Sequence, residues 1–176
     1  MRTEVRRLAE SNEADFAQVM RLGSEDSERC LCTAHYVKDW QTPGVAEACR
    51  KRSFEEGKSD GYLLYRDGKP IGWCQAAPAK EFLRFGWNLD PEAWAVTCLV
   101  IVPEAKGKGL SHVLMRGVLD DLRSRGVKGV EGWAHRYSEK QDGFFELPEE
   151  VCRKAGMTLV RDHPEYPTYS IRFAAQ

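Results

Sequence analysis

The stretch from Val100 to Leu119, VIVPEAKGKGLSHVLMRGVL, leaves the chain few local options. An apolar run stops at Pro103, which cannot donate to a strand ladder, and Lys-Gly-Lys-Gly at 106–109 then leads straight into Leu110, Val113, Leu114, Val118 and Leu122 at helical spacing. The spacing predicts strand, tight turn and helix. Gly107 and Gly109 free the backbone for close approach or left-handed geometry, and the helix start behind them aims unpaired N–H groups and a positive dipole end at the same place. With Lys106 and Lys108 alongside, phosphate is the natural guest. A P-loop needs Gly-Lys-Ser/Thr, which is absent here, and a G-x-G-x-x-G dinucleotide turn would require glycine where His112 stands.

A chain of 176 residues, 42% apolar and 30% charged with net charge -1, is sized and composed like one ordinary soluble domain, so residues 1–176 are read as a single unit. Near-neutral charge argues against nucleic acid or an anionic membrane as bulk partner. The clusters Arg6-Arg7 and Arg50-Lys51-Arg52 have acids nearby (Glu4, Glu47, Glu55) and read as solvated surface. The longest apolar run, Ala93 to Val102, is too short to span a bilayer. MRTEVRR is followed by LAESNEADF, not by an apolar segment, so no signal peptide is expected and the cytoplasm is the expected location. There the six cysteines, at 30, 32, 49, 74, 98 and 152, would remain thiols.

Thr3 to Leu8 reads as a first strand, followed by a helix capped by Ser11 and ending near Gly23. A helix from Val45 to Phe54 lies within an otherwise irregular stretch. Tyr62–Arg66 and Ile71–Ala77 form a hairpin around Asp67-Gly68. Ala93 to Val102 is apolar on both faces, as a central strand covered on both sides would be. After the helix, which Gly126 can end in the left-handed conformation, Val127–Ala134 reads as a strand reached by a right-handed parallel crossover. A short helix (Pro148–Ala155) and two strands (Met157–Arg161, Thr168–Phe173) complete an α/β, or α+β, arrangement with a mixed sheet.

VIVPEAKGKGLSHVLM resembles the signature of the GNAT superfamily of acyl-CoA-dependent N-acetyltransferases, and the order of elements is similar over most of the chain. Lys106, Gly109 and Ser111 fall on the family's Arg/Gln-x-x-Gly-x-Gly/Ala turn, with lysine and serine as departures; CRKAGMTLV resembles its YxKxGF segment. The resemblance implies a twisted mixed sheet flanked by helices, with two splayed central strands. It implies acetyl-CoA as acyl donor, its pyrophosphate on backbone amides of Lys106, Gly107, Lys108, Gly109, Leu110 and Ser111, and its pantetheine arm along Leu99, Val100, Ile101 and Val102. The reaction it implies is direct attack by a primary amine of a small molecule or peptide; no nucleic acid or membrane partner is expected, and a homodimer is left open.

Acetyl transfer to an amine needs a proton acceptor and a proton donor. Glu131 and His135, on or just after the second splayed strand, are candidate bases, while Glu92 precedes the first. The family's frequent tyrosine falls on Cys152, a candidate acid by its thiol and equally a small hydrophobe on an apolar helix face; Tyr137 and Tyr166 are alternative donors. Cys30, Cys32 and His35 offer zinc-type ligands at poor spacing with no fourth, so no metal is expected. The aromatic residues Tyr36, Trp40, Phe82, Phe85, Trp87, Phe144 and Phe145 are candidates for an acceptor pocket or for loop packing. The missing tyrosine leaves a second reading open, a catalytically silent acyl-CoA-binding module.

Overall fold

The computed structural model describes residues 2–23, 25–58, 61–85, 89–136 and 147–174. Strand β1 (Thr3–Arg7), helices α1 (Glu13–Gly23), α2 (Glu25–Cys30) and α3 (Val45–Glu55), and the hairpin β2 (Gly61–Arg66) and β3 (Lys69–Pro78) come first. They are followed by β4 (Trp94–Ile101), α4 (Leu110–Ser124), β5 (Gly129–His135), the two-residue β6 (Leu147–Pro148), α5 (Glu149–Lys154), β7 (Thr158–Arg161) and β8 (Thr168–Arg172). The expected elements are present within a few residues of their expected ends. Helix α2 and β6 lie in stretches where the sequence shows no clear period.

The strands form one mixed sheet in the order β1-β2-β3-β4-β5-β8-β7, with β6 also paired to β5. Only β4–β5 and β5–β6 are parallel. Helix α4 supplies the β4–β5 crossover and buries Leu110, Leu114, Met115, Val118, Leu119 and Leu122 as one stripe. Each such side chain contributes about 1.5–3 kcal/mol by leaving water. Polar contacts fix its far end: Tyr62 Oη donates to Asp121 Oδ2 at 2.8 Å, Arg125 Nη1 donates to Tyr62 Oη at 3.1 Å, and the Arg125 guanidinium lies 4.7 Å from the Trp94 ring centre. On the opposite face, Phe16 of α1 meets Trp73 of β3 edge-on, with ring centres 4.7 Å apart.

Two local expectations are corrected. Ser11 does not cap α1; Asn12 Oδ1 accepts the Ala9 amide at 2.8 Å, and a 3-10 turn over Glu10–Asn12 leads into the helix. Arg50 is not a solvated residue: at 4% exposure it donates Nη2 to the Leu31 carbonyl at 2.7 Å, with its guanidinium 4.9 Å from the Phe16 ring centre. Leu31 and Cys32 have positive φ values of 47° and 51°, so this carbonyl sits in a turn that no regular hydrogen-bond ladder serves. Arg50 supplies the donor.

Candidate functional site

The ladder between β4 and β5 is short. It joins Trp94 to Val130, Ala95 to Glu131 and Val96 to Gly132, and then the two strands part. A bulge in β4 lies at that point, because Gln75 and Ala76 of β3 pair with Cys98 and Val96 and leave Thr97 unmatched. An extra residue bends and twists its strand. The bulge is braced from within: Thr97 Oγ1 donates to Gln75 Oε1 at 2.9 Å, and Gln75 Nε2 donates to the Cys32 carbonyl at 2.7 Å, all three residues being buried. The gap between the strands is therefore fixed by the fold. Past that point, Ala134 and His135 pair with Leu147 and Pro148 of β6 on the edge of β5 that β4 has left.

Leu99, Val100, Ile101 and Val102 lie along β4 past the bulge, and all are buried. Beyond them a 3-10 turn over Pro103–Ala105 delivers the chain to Lys106–Gly109. Gly107 and Gly109 adopt φ of 74° and 71°, and a Cβ at either would meet nothing within 4 Å. The glycines are therefore demanded by left-handed backbone geometry, and the space beside them is open. Gly109 is the N-cap of α4, which has no side-chain cap and no acid in its first turn. The helix start of α4 thus borders open space next to two lysines, a geometry that suits a phosphate. Lys106 and Lys108 are exposed, and Lys108 Nζ donates to the Glu104 carbonyl at 2.8 Å. Leu110 is buried and Ser111 half-buried. Further along α4 lies a cavity of about 420 Å³, lined by His112, Arg116, Asp120, Arg123, Lys154 and Arg172 over an apolar floor that includes Leu119 and Phe173.

The three candidate catalytic residues are in different situations. Glu131, 7% exposed, accepts the Asp90 amide on Oε2 at 2.8 Å and lies in the paired part of β5. His135, also 7% exposed, ends β5 where β4 has already departed; its Nε2 is 4.0 Å from Glu165 Oε1, and its ring stacks on Tyr166 with centres 5.1 Å apart. Tyr166 stacks equally on Trp133, at 4.8 Å and nearly parallel. Cys152 lies on α5 against Gly132, fully buried, and burial pushes its thiol up to about 12, with Glu149 adding to the rise. The fold places His135 at the end of β5, Cys152 against Gly132 of the same strand, and Glu131 four residues before His135 in the part still paired to β4.

Arg136, Glu149 and Tyr169 were not anticipated. Arg136 makes paired bonds to Glu149, Nε to Oε2 at 2.9 Å and Nη2 to Oε1 at 2.8 Å, and Tyr169 Oη donates to the same Oε1 at 2.6 Å. The guanidinium, helped by Tyr169, holds the Glu149 carboxyl below its usual range. This trio ties the end of β5, the start of α5 and β8 together. It joins residues up to 33 positions apart, which no spacing rule would connect.

Cys32 donates its thiol to Cys98 Sγ at 3.2 Å and accepts Trp73 Nε1 at 3.0 Å; all six cysteines are thiols. His35 packs edge-on against Phe82, and desolvation pushes its pKa down to about 4. Among the described residues no three His, Cys, Asp or Glu side chains gather as a metal site. Tyr36 stacks on Phe82 with centres 5.4 Å apart, and Trp40 is half-buried. Trp87, Tyr137, Phe144, Phe145 and the side chain of Phe85 lie outside the described residues. No described helix is long and apolar enough to cross a membrane.

No curated protein matches the sequence. Among solved structures, the chain is similar to the PaiA N-acetyltransferase from Thermoplasma acidophilum in complex with coenzyme A, at 15% identity and TM-score 0.59, over 98% of this chain and 100% of that one. It is similar to an aminoglycoside acetyltransferase in complex with coenzyme A, at 16% identity and TM-score 0.61, over 97% and 95%. It is also similar to a ribosomal-protein-alanine N-acetyltransferase from Escherichia coli, at 8% identity and TM-score 0.58, over 99% and 96%. At such identities the likeness is one of fold, an open mixed sheet with helices on both faces. The model of the acetyltransferase (GNAT) family matches residues 25–146, more than half of the sequence. With the parted central strands and the two-glycine helix start, that match makes this chain a member of the GNAT acetyltransferase family.

Proposed function

We propose that the protein transfers the acetyl group of acetyl-CoA to a primary amine of a small molecule or peptide by direct attack, as a single domain working in the cytoplasm. One observation carries this reading: the β4–β5 ladder breaks after Val96, and β4 runs on to an uncapped helix start with two left-handed glycines. Amides of residues 106–111 would hold the coenzyme's diphosphate, and backbone groups of Leu99 to Val102 its pantetheine arm. The basic groove of His112, Arg116, Arg123 and Lys154 suits its phosphorylated nucleoside end. When bound, acetyl-CoA supplies an acetyl group activated toward amines.

The chain's own residues then handle the proton. His135 takes it from the amine at Nε2, which lies 4.0 Å from the Glu165 carboxylate. Glu131 holds the Asp90 amide and thereby the loop before β4. Cys152, with its thiol raised to about 12, is poorly matched to protonate a thiolate of pKa about 8.5, and it serves packing. The same observation favours a second reading, an acyl-CoA-binding module without transfer.

The test is to incubate the protein with acetyl-CoA and a panel of aminoglycosides, polyamines, amino acids and peptides, and to follow free thiol. Release that depends on the amine supports the enzyme. Thermal stabilisation by the coenzyme without release supports the binding module.

A further inference from the structure

A single ring nitrogen binds two successive amides of the turn between β7 and β8. His163 Nδ1 accepts the Tyr166 amide at 2.9 Å and the Glu165 amide at 3.1 Å. This turn carries Tyr166 onto Trp133 and His135, and brings Glu165 to His135. Carbonyls of the turn are held from β5, because the Ala134 amide donates to the Pro167 carbonyl at 3.0 Å and the Arg136 amide to the Glu165 carbonyl at 2.8 Å. The histidine supplies the acceptor for the two amides.

We infer that His163 is a positioning residue for acceptor binding: its unprotonated Nδ1 lays Tyr166 over Trp133 and His135, and protonation of His163 loosens that cover. The inference rests on the acetyl-transfer reading for what the cover does, and on geometry alone for what holds it. A neutral imidazole offers one acceptor nitrogen and one donor; the imidazolium offers two donors and no acceptor. A protonated Nδ1 would point a proton at two amide protons, and both bonds would be lost together.

Charged groups of both signs surround the turn. Arg136 Nη1, from the end of β5, donates to the His163 carbonyl at 3.1 Å. Asp162, 3.0 Å from Arg136, and Glu165 lie in the same turn, and Glu149 of α5 is engaged by Arg136. The His163 ring centre is 6.1 Å from that of Tyr166, and His135 is the other titratable ring beneath the cover. His163 itself is exposed, so protons reach it freely.

The test uses the full chain and three forms: wild type, His163→Ala and His163→Asn. An asparagine oxygen can accept amides two and three residues on, as in Asx turns, and does not titrate. Amide exchange protection at Glu165 and Tyr166, relative to intrinsic rates, is measured from about pH 8 to about pH 5, the interval in which histidines gain their proton. The wild type should lose protection as pH falls, His163→Ala should lack it throughout, and His163→Asn should keep it throughout. With an acceptor in hand, His163→Ala should raise the amine KM about tenfold with little change in kcat, and His163→Asn should restore it. Unchanged protection in His163→Ala, or a persisting pH dependence in His163→Asn, overturns the inference. Wild-type protein that transfers nothing to any amine overturns the acetyl-transfer reading instead, while the exchange pattern still decides what holds the turn.

Discussion

The sulfur of Cys152 occupies the space that a side chain on Gly132 would need: a Cβ there would come within 2.8 Å of Sγ and 3.1 Å of Leu147 Cδ2. Helix α5 thus rests on bare backbone of β5 at the residue where β5 leaves β4. Close approach at that point sets how far α5 stands from the gap.

Gly132→Ala is therefore expected to destabilise the protein by about 1–3 kcal/mol through overpacking, read as a Tm lowered by several degrees. Cys152→Ala removes the obstructing sulfur, so the double variant should lose less than the sum of the two single changes. Cys152→Ala alone should leave acetyl transfer intact; a collapse of turnover with unchanged coenzyme binding would restore the thiol to the chemistry.

Gly109→Ala keeps its surroundings clear, since no atom lies within 4 Å of the new Cβ, but forces a left-handed φ of 71° on an L-residue. The strain, about 1–2 kcal/mol, should appear as weaker coenzyme binding by titration calorimetry, with the fold retained by circular dichroism. Equal affinity in the variant would remove residues 106–111 from the binding site.

His135→Gln should lower turnover by about 10²–10⁴-fold, the usual range for loss of a general base, while coenzyme-induced thermal stabilisation persists. Turnover within a factor of a few of wild type would assign proton removal to another group or to water.

Glu149, held below the usual carboxylate range chiefly by Arg136, contributes stability while it is ionised in the folded protein. Its folded pKa lies below its unfolded one, so that contribution is complete above ordinary carboxylate values and is lost as pH falls through the folded pKa. Thermal melts of wild type and Glu149→Gln should differ near neutrality and converge as pH falls below the ordinary carboxylate range. A constant difference down to strong acid would exclude the ion pair as its source.

Much of the framework was legible in the chain. The stripe Leu110, Leu114, Val118 and Leu122, the Asp67-Gly68 turn and the apolar run before Pro103 are local patterns, and periodicity and turn chemistry act locally. The left-handed glycines of the Lys-Gly-Lys-Gly turn could be expected because that backbone preference is set by neighbours in sequence. Arg50 was misread as solvated because its partner, the Leu31 carbonyl, lies 19 residues away.

By itself the sequence determined most of the element order, the crossover between the central strands and the two-glycine start of α4, since each follows from spacing and backbone preference within a few residues. Only the tertiary structure decided where β4 and β5 part, because the bulge at Thr97 is held by Gln75 and by the carbonyl of Cys32, 65 positions before the threonine. It also separated His135, left beneath Tyr166 beside the parted strands, from Cys152, sealed into the core. Burial and charge pairing at a residue depend on what packs against it from elsewhere in the chain, and that is settled only when the sheet closes.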